Sequence, residues 1–158
     1  MRSVFVRALQ WLGYVVLCNG VGFASAMVAN EPSFYGRLVR PSWAPPASVF
    51  GPVWTILYTL MGTATWIVWA RTRGHARRQA MALFAIQLAL NAAWTPVFFG
   101  LHLLGASIFV IAAVLIAVVV MMVTYARSVP WAGALIAPLG LWVGFATCLN
   151  VALWWGNR

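Results

Sequence analysis

Two tryptophans and two amides inside apolar runs are the side chains best placed for chemistry. Trp54 and Trp142 each lie within a long apolar run, and Gln87 and Asn91 stand four residues apart in another. Indole rings stack on flat apolar molecules, and amides bind the few polar atoms of such a ligand. An unpaired amide in hydrocarbon costs several kcal/mol, so we expect Gln87 and Asn91 to face inward. There they either join neighbouring helices or line a cavity.

Aromatic residues share helical faces with these four side chains, since residues three or four apart lie on one side of a helix. Gly140 and Gly144 form a GxxxG pair on the side opposite Trp142, which predicts a close helix contact. The three faces comprise Trp54 and Tyr58; Gln87, Asn91, Trp94 and Phe98; and Trp142, Phe145, Ala146 and Leu149.

The placement of charged and metal-binding residues argues against several other chemistries. The apolar runs have no Asp, Glu, Lys or His near their middle, whereas ion-coupled transporters use such a group and hydrolases need a general base. His75 and His102 are expected in loops without a partner at ligand spacing, so we predict no metal site. Cys18 and Cys148 lie in apolar runs, and we expect both to be reduced packing residues.

Composition identifies the environment in which the chain folds. Of 158 residues, 64% are hydrophobic and 7% are charged, whereas soluble domains are about 45–50% apolar and about 25% charged. The net charge of +9 comes from arginines that stand between or beside the apolar runs. That distribution is typical of membrane-protein loops and argues against a nucleic-acid partner. We therefore expect the lipid bilayer to surround the chain.

Five apolar runs are each long enough to cross a hydrocarbon core, which takes about 20 residues. Their continuity and their Ala, Leu and Met content argue against the alternating strands of a membrane barrel. The sequence thus predicts an all-α integral membrane protein, a five-transmembrane-helix bundle that forms one domain over residues 1–158. The helices are expected at residues 5–27, 47–70, 79–100, 104–126 and 131–155.

The arginines also orient the bundle. Most of them belong to the N-terminus and to the second and fourth loops, so the positive-inside rule places the N-terminus in the cytoplasm. Arg37 and Arg40 in the first loop either hold ligand carboxylates at a pocket mouth or are solvated loop charges. The first run resembles a signal peptide, but its length favours a retained helix.

Several short motifs resemble one known family. Phe34-Tyr35 is followed by Arg40-Pro41-Ser42-Trp43-Ala44-Pro45-Pro46, then by Phe50, Trp54-Thr55 and Leu57-Tyr58. Later matches are Gln87 to Asn91, Trp94 to Phe99, Ala132-Gly133, Pro138, Trp142, Phe145-Ala146, Leu149-Asn150 and Asn157. In order and spacing these residues resemble the TspO/MBR family, which comprises tryptophan-rich sensory proteins and the mitochondrial translocator protein.

The resemblance implies a ligand and a site. Members of this family are five-helix bundles, commonly homodimers, whose pocket beneath the first loop binds porphyrins such as protoporphyrin IX. No further cofactor is required, and the Pro-rich first loop is expected to act as a lid. The residues that match pocket positions, or positions close to them, are Tyr35, Trp43, Trp54, Tyr58, Gln87, Asn91, Trp94, Phe98, Trp142, Phe145, Ala146 and Asn150.

Three functional hypotheses remain open. The favoured one is a membrane sensor or transporter of tetrapyrroles that modulates pigment or tetrapyrrole genes in response to oxygen or light. The second is an enzyme that degrades porphyrin with light and oxygen, for which Trp54 and Trp142 are the catalytic candidates. The third is a scaffold whose amides only join helices.

Localisation follows from the helical architecture, and ligand range follows from the resemblance. Helical bundles normally reside in the cytoplasmic membrane, so we expect the bacterial cytoplasmic (inner) membrane, and the resemblance gives the outer membrane as the alternative. Leu139 stands where the family usually has a tyrosine, and the C-terminal segment lacks the sterol-type motif of animal members. A sterol is therefore not the expected ligand.

Overall fold

In a computed structural model of the protein, which describes residues 2–29 and 33–158, helices make up most of the chain and no strand occurs in those ranges. Five of the helices are long and apolar enough to cross a membrane. The protein is therefore a multi-pass membrane protein, and the prediction of an all-α five-helix bundle is confirmed. The helices are α1 (Arg2–Ala29), a short α2 (Phe34–Arg37), α3 (Phe50–Arg71), α4 (Gly74–Thr95), α5 (Leu104–Ser128) and α6 (Pro130–Gly156).

Prolines and tight turns set several of the helix ends. Pro130 lies in the first turn of α6, where its missing N–H would have had no partner in the helix. A π-type turn, Pro96–Gly100, extends α4, and the Leu101 N–H donates to the Pro96 carbonyl at 2.8 Å. Pro96 itself lacks the N–H that would continue a regular α-helix. A 3-10 turn, Ala47–Val49, leads into α3.

The turn between α3 and α4 is shorter than the sequence predicted. Only Thr72 and Arg73 separate the two helices, so His75 lies in the first turn of α4 and the expectation of a loop histidine is wrong. Arg77 is also helical, and its Nε donates to the Thr72 carbonyl at 2.9 Å. Arginine is accommodated at such a helix end because its charged group extends toward water while its aliphatic stem covers apolar surface.

The five long helices form a closed ring in the order α1, α3, α6, α5 and α4, and α4 packs against α1 again. The end with the start of α1, the α3–α4 turn and the α5–α6 turn is called the arginine end. The opposite end is called the loop end, and it carries the described first-loop residues 33–49, residues 101–103 and the C-terminus. Near the arginine end the Thr65 and Tyr125 hydroxyls lie 3.1 Å apart, joining α3 to α5.

Close helix contacts occur at other glycines than expected. A Cβ on Gly140 would lie 3.5 Å from Val118, and one on Gly144 would have no neighbour within 4 Å. The prediction of a close GxxxG contact is therefore wrong, because Gly140 meets only a Val118 methyl group at ordinary contact distance and Gly144 faces no near neighbour. At Gly62, by contrast, a Cβ would lie 2.9 Å from the Tyr14 carbonyl oxygen, so α1 and α3 meet there.

The two cysteines differ in environment. Both are free thiols, and Cys18 is fully buried in α1, as expected of a packing residue. Cys148 is exposed on α6, so the expectation that it packs in the interior is wrong. It lies on the outer surface of the bundle.

Candidate ligand-binding site

A cavity of about 610 Å³ lies toward the loop end among α1, α3 and α4, beneath the first loop. Sites for small molecules and cofactors usually have volumes of about 300–1,000 Å³ and mostly apolar walls with a few polar groups. The aromatic part of the lining consists of Phe23, Tyr35, Phe50, Trp54, Tyr58, Trp94 and Phe99. This wall suits a flat, largely apolar ligand, because aromatic faces stack on planar rings.

Four of the site residues predicted from the sequence line this cavity: Tyr35, Trp54, Tyr58 and Trp94. Trp54 and Tyr58 follow one another by about one turn of α3, and their ring centroids lie 5.3 Å apart. Gly22 of α1 packs so closely on the Tyr58 ring that it has no room for a Cβ. The tyrosine ring is thereby held between the two helices at the boundary of the cavity.

A second group of predicted residues lies behind the first. Phe98, Ala146 and Asn150, with Tyr35 and Trp94, line a void of only about 10 Å³. A void of this size holds at most about one water molecule. The second group therefore packs against the cavity wall from behind.

The Asn150 amide joins three helices. Its Oδ1 accepts hydrogen bonds from Trp94 Nε1 at 3.1 Å and from Ser107 Oγ at 3.0 Å. Its Nδ2 donates to the Leu104 carbonyl at 3.1 Å. Asn150 therefore connects α6 with α4 and α5, and it fixes the orientation of the cavity-lining Trp94 indole.

A third group forms an aromatic chain outside the cavity. Trp43 of the first loop contacts Phe145 with ring centroids 5.8 Å apart, and Phe145 contacts Trp142 at 5.4 Å. Phe50 contacts Trp142 at 6.0 Å on one side and Tyr35 at 5.2 Å on the other. Phe50 therefore lies between Trp142 and the cavity-lining Tyr35, and Trp142 does not belong to the lining.

The remaining predicted residues, Gln87 and Asn91, face the interior of the bundle, as expected. Among the residues that the structure describes, neither amide atom of Gln87 has a hydrogen-bond partner, and Asn91 Nδ2 also lacks one. Trp142 Nε1 is buried and unpaired within the same part of the chain. These donors do not join neighbouring helices, and they are not part of the cavity lining. Unpaired buried polar groups are costly, so such groups are usually explained by strain, an unseen partner or function.

Sequence reasoning missed two parts of the site. The first is Phe50, which belongs to the motif that carries the family resemblance. Its position four residues before Trp54 was the available signal that both rings lie on one face of the helix. On α1, Gly22, Phe23 and Ala26 line the cavity, but no role was assigned to that helix. The signal available in α1 was the pair of small residues Gly22 and Ala26, one helical turn apart, because small side chains leave space beside a larger neighbour.

The first loop is fastened over the loop end at several points. The Tyr35 hydroxyl donates to the Pro45 carbonyl at 2.8 Å. The Arg40 guanidinium carbon lies 5.2 Å from the centroid of the Tyr35 ring. Burial raises the pKa of the Tyr35 phenol, and the positive charge of Arg40 opposes that shift. Tyr35 is therefore a neutral hydrogen-bond donor at physiological pH.

Two further contacts hold the loop from the other side. The Asn157 side chain accepts from the Val39 N–H at 2.9 Å and donates to the Val39 carbonyl at 3.0 Å. Phe34 stacks on His102 with ring centroids 4.1 Å apart. His102 lies in the turn before α5, and its φ of 57° is in the left-handed region of backbone conformation.

Comparison with known proteins places this architecture in a family. The model of the TspO/MBR family matches residues 14–155. The tryptophan-rich protein TspO of Chlorobaculum tepidum is 39% identical over 143 residues, covering 87% of this chain and 89% of the relative. The human translocator protein is 36% identical, with coverage of 79% and 75%. The tryptophan-rich sensory protein of Cereibacter sphaeroides is 35% identical, with coverage of 89% and 86%. The chain therefore belongs to the TspO/MBR family.

Proposed function

We propose that the protein binds a tetrapyrrole such as protoporphyrin IX in the cavity and acts as a membrane sensor or transporter for it. The observation that carries this proposal is the aromatic cavity of about 610 Å³ among α1, α3 and α4. Its Trp54 and Tyr58 rings match the chemistry of a large planar ligand. One relative is named a sensory protein and another a translocator, and both names support this class of role.

The biological output that fits this binding is a report on tetrapyrrole level. In this proposal, occupancy of the cavity modulates pigment or tetrapyrrole genes when oxygen or light changes the supply of the ligand. The protein needs no cofactor for this task, since ligand binding by itself shifts a protein toward the conformation that binds the ligand better.

Light-dependent porphyrin degradation has less support from the geometry. That hypothesis uses Trp54 and Trp142 together, and only Trp54 belongs to the cavity lining. Trp142 lies beyond Phe50, with its ring centroid 6.0 Å from that of Phe50. The enzyme hypothesis therefore requires Phe50 to move before both indoles reach one ligand.

The proposed setting is the bacterial cytoplasmic (inner) membrane, with the N-terminus in the cytoplasm. The arginine end carries Arg71, Arg73, Arg77 and Arg127, which favours that end on the cytoplasmic side. We also treat the chain as one membrane domain that pairs as a homodimer, as the family resemblance implies. Fusion of reporter domains to each terminus tests the orientation.

The binding proposal is tested by titrating the purified protein in detergent with protoporphyrin IX in the dark. Saturable quenching of tryptophan fluorescence reports binding. We expect Trp54→Ala to raise Kd about tenfold or more, because the ligand loses a stacking surface and apolar contact. Asn91 is buried outside the cavity lining, so Asn91→Ala weakens binding only if its unpaired amide turns toward the ligand.

The matched control is Trp131→Ala, which removes an exposed tryptophan at the arginine end and should leave Kd unchanged. Circular dichroism verifies that each variant remains helical. Unchanged affinity in both Trp54→Ala and Asn91→Ala contradicts the site assignment. Illumination of the complex then separates the hypotheses, because intact porphyrin absorption bands support a sensor or carrier and bleaching supports the enzyme.

A further inference from the structure

Several residues that line the cavity also belong to the outer surface of the bundle. On α1, Phe23 is 69% exposed and Met27 is 64% exposed, and both line the cavity. On α3, Gly51 and Thr55 are likewise exposed and part of the lining. A residue can belong to both surfaces only where the cavity reaches the outside of the ring. The cavity therefore opens between α1 and α3, on the outer surface of the bundle.

The same two helices are closed toward the arginine end. Trp11 Nε1 donates to Thr63 Oγ1 at 3.0 Å, and Asn19 Nδ2 donates to Thr59 Oγ1 at 3.2 Å. Between these bonds, Gly62 meets the backbone of α1 without space for a Cβ. The opening therefore lies in the half of the contact nearest the loop end, which in the proposed orientation is the outer leaflet.

Passage through the loop end would require more contacts to break. Asn157 holds the Val39 backbone with two hydrogen bonds, and Tyr35 holds Pro45 with one. Aromatic contacts of Phe34 and Trp43 add to this attachment. At the α1–α3 opening, by contrast, the exposed lining side chains Phe23 and Met27 need only change rotamer, which exposed side chains do rapidly.

We infer that the ligand passes between the cavity and the bilayer through the α1–α3 opening, and that the first loop is a fixed cover rather than the lid. The route fits a planar, membrane-partitioning molecule with a polar edge, because such a molecule concentrates in the leaflet beside Phe23 and Met27. Ala26, between those two residues in α1, is also exposed and lines the cavity, and its side chain is a single methyl group. This inference rests on the proposed function for the identity of the ligand, but the opening itself does not depend on it.

The opening is tested first without any ligand. Ala26→Cys and Thr55→Cys are each spin-labelled in a Cys148→Ser background and placed in lipid nanodiscs, with Val16→Cys as a lipid-exposed control on α1. Collision of each label with lipid-dissolved oxygen is compared with collision with a water-soluble nickel chelate. We expect oxygen to dominate at residues 26 and 55, as at residue 16. Dominance of the chelate, or protection from both reagents by a second copy, overturns the inference.

The route is tested next by kinetics with protoporphyrin IX in nanodiscs. Ala26→Trp narrows the opening, so we expect its association and dissociation rates both to fall about tenfold. Because Ala26 also lines the cavity, the two rates and not Kd decide the route. Val16→Trp is the bulk-matched control and should change neither rate. Asn157→Ala loosens the loop and should also leave both rates unchanged.

Three outcomes separate the alternatives. Faster exchange in Asn157→Ala identifies the loop as the gate and overturns the inference. A higher Kd in Ala26→Trp with an unchanged association rate shows that Ala26 only lines the cavity, which also contradicts the route. Absence of saturable binding in the wild-type protein refutes the proposed function, while the spin-label result still decides whether the opening faces lipid.

Discussion

The contact between α1 and α3 closes completely toward the arginine end and opens toward the loop end. In the closed half, α3 presents Gly62 and Thr63, which let the α1 backbone approach and supply a hydroxyl to Trp11. In the open half, α3 presents the large rings of Trp54 and Tyr58. The sizes of the side chains along α3 thus divide the helix into a segment that packs against α1 and a segment that lines the cavity.

Hydrogen bonding does not follow this division of the α1–α3 contact. Near the arginine end the Tyr125 hydroxyl lies 3.1 Å from that of Thr65 and donates to the Ala80 carbonyl at 3.4 Å. Toward the loop end the Asn150 amide is likewise satisfied. In α4 the Gln87 amide is fully buried and has no partner among the described residues. Satisfied networks therefore occur toward both ends of the bundle, and the unpaired Gln87 lies outside the α1–α3 contact.

The largest effect on stability is expected where the two helices meet most closely. Gly62→Val places a branched side chain against α1 backbone atoms, which a Cβ would already approach to 2.9–3.0 Å. Because backbone moves less easily than a side chain, we expect a loss of about 3 kcal/mol in the free energy of unfolding. Denaturation with sodium dodecyl sulfate measures it.

The control for Gly62→Val is Gly20→Val in α1, where a Cβ would have no neighbour within 4 Å. We expect this control to change stability by less than about 0.5 kcal/mol. Equal losses in both variants would mean that the closed half is not a tight contact, and the comparison between the halves would fail.

A smaller effect separates a satisfied amide from an unsatisfied one. Asn150→Leu leaves Trp94 Nε1 and the Leu104 carbonyl without their Asn150 partner, so we expect a loss of about 2 kcal/mol. Gln87→Leu removes two unpaired polar atoms, so we expect no loss or a gain of about 1 kcal/mol. The same denaturation assay measures both, and a comparable loss in Gln87→Leu would show that Gln87 is satisfied after all.

The smallest effect is expected at the loop attachment. Tyr35→Phe removes the hydrogen bond to the Pro45 carbonyl, so we expect a loss of about 1 kcal/mol at neutral pH. Because burial raises the Tyr35 pKa above the ordinary value of 10.0, the folded state favours the neutral phenol. The contribution is complete below that ordinary value and is lost as pH rises through the raised pKa.

Unfolding of wild type and Tyr35→Phe at neutral and alkaline pH measures this contribution. The difference in the free energy of unfolding should stay constant through neutral pH and shrink only in strong alkali. A difference that disappears at mildly acidic or neutral pH would contradict the assignment of the phenol as the donor.

Part of the site could be predicted from helical spacing and the family motif. Trp54 with Tyr58 on α3, and Trp94 on α4, were expected to face a pocket, and they line the cavity. Phe50 and the α1 residues were missed, since the run around Phe23 is apolar apart from Asn19 and Ser25 and no face of it stands out. Uniform hydrophobicity shows that a helix lies in the membrane but does not show which face meets a cavity.

The sequence by itself determined the membrane environment, the five spanning helices and the inward face of α4, because length, hydrophobicity and helical period are local properties. Only the tertiary structure decided which polar groups are satisfied and where the cavity lies. Asn150 meets Trp94 from 56 residues away, and Asn157 meets Val39 from 118 residues away. Such partners are chosen by the order of helices in the ring, and no local pattern encodes that order.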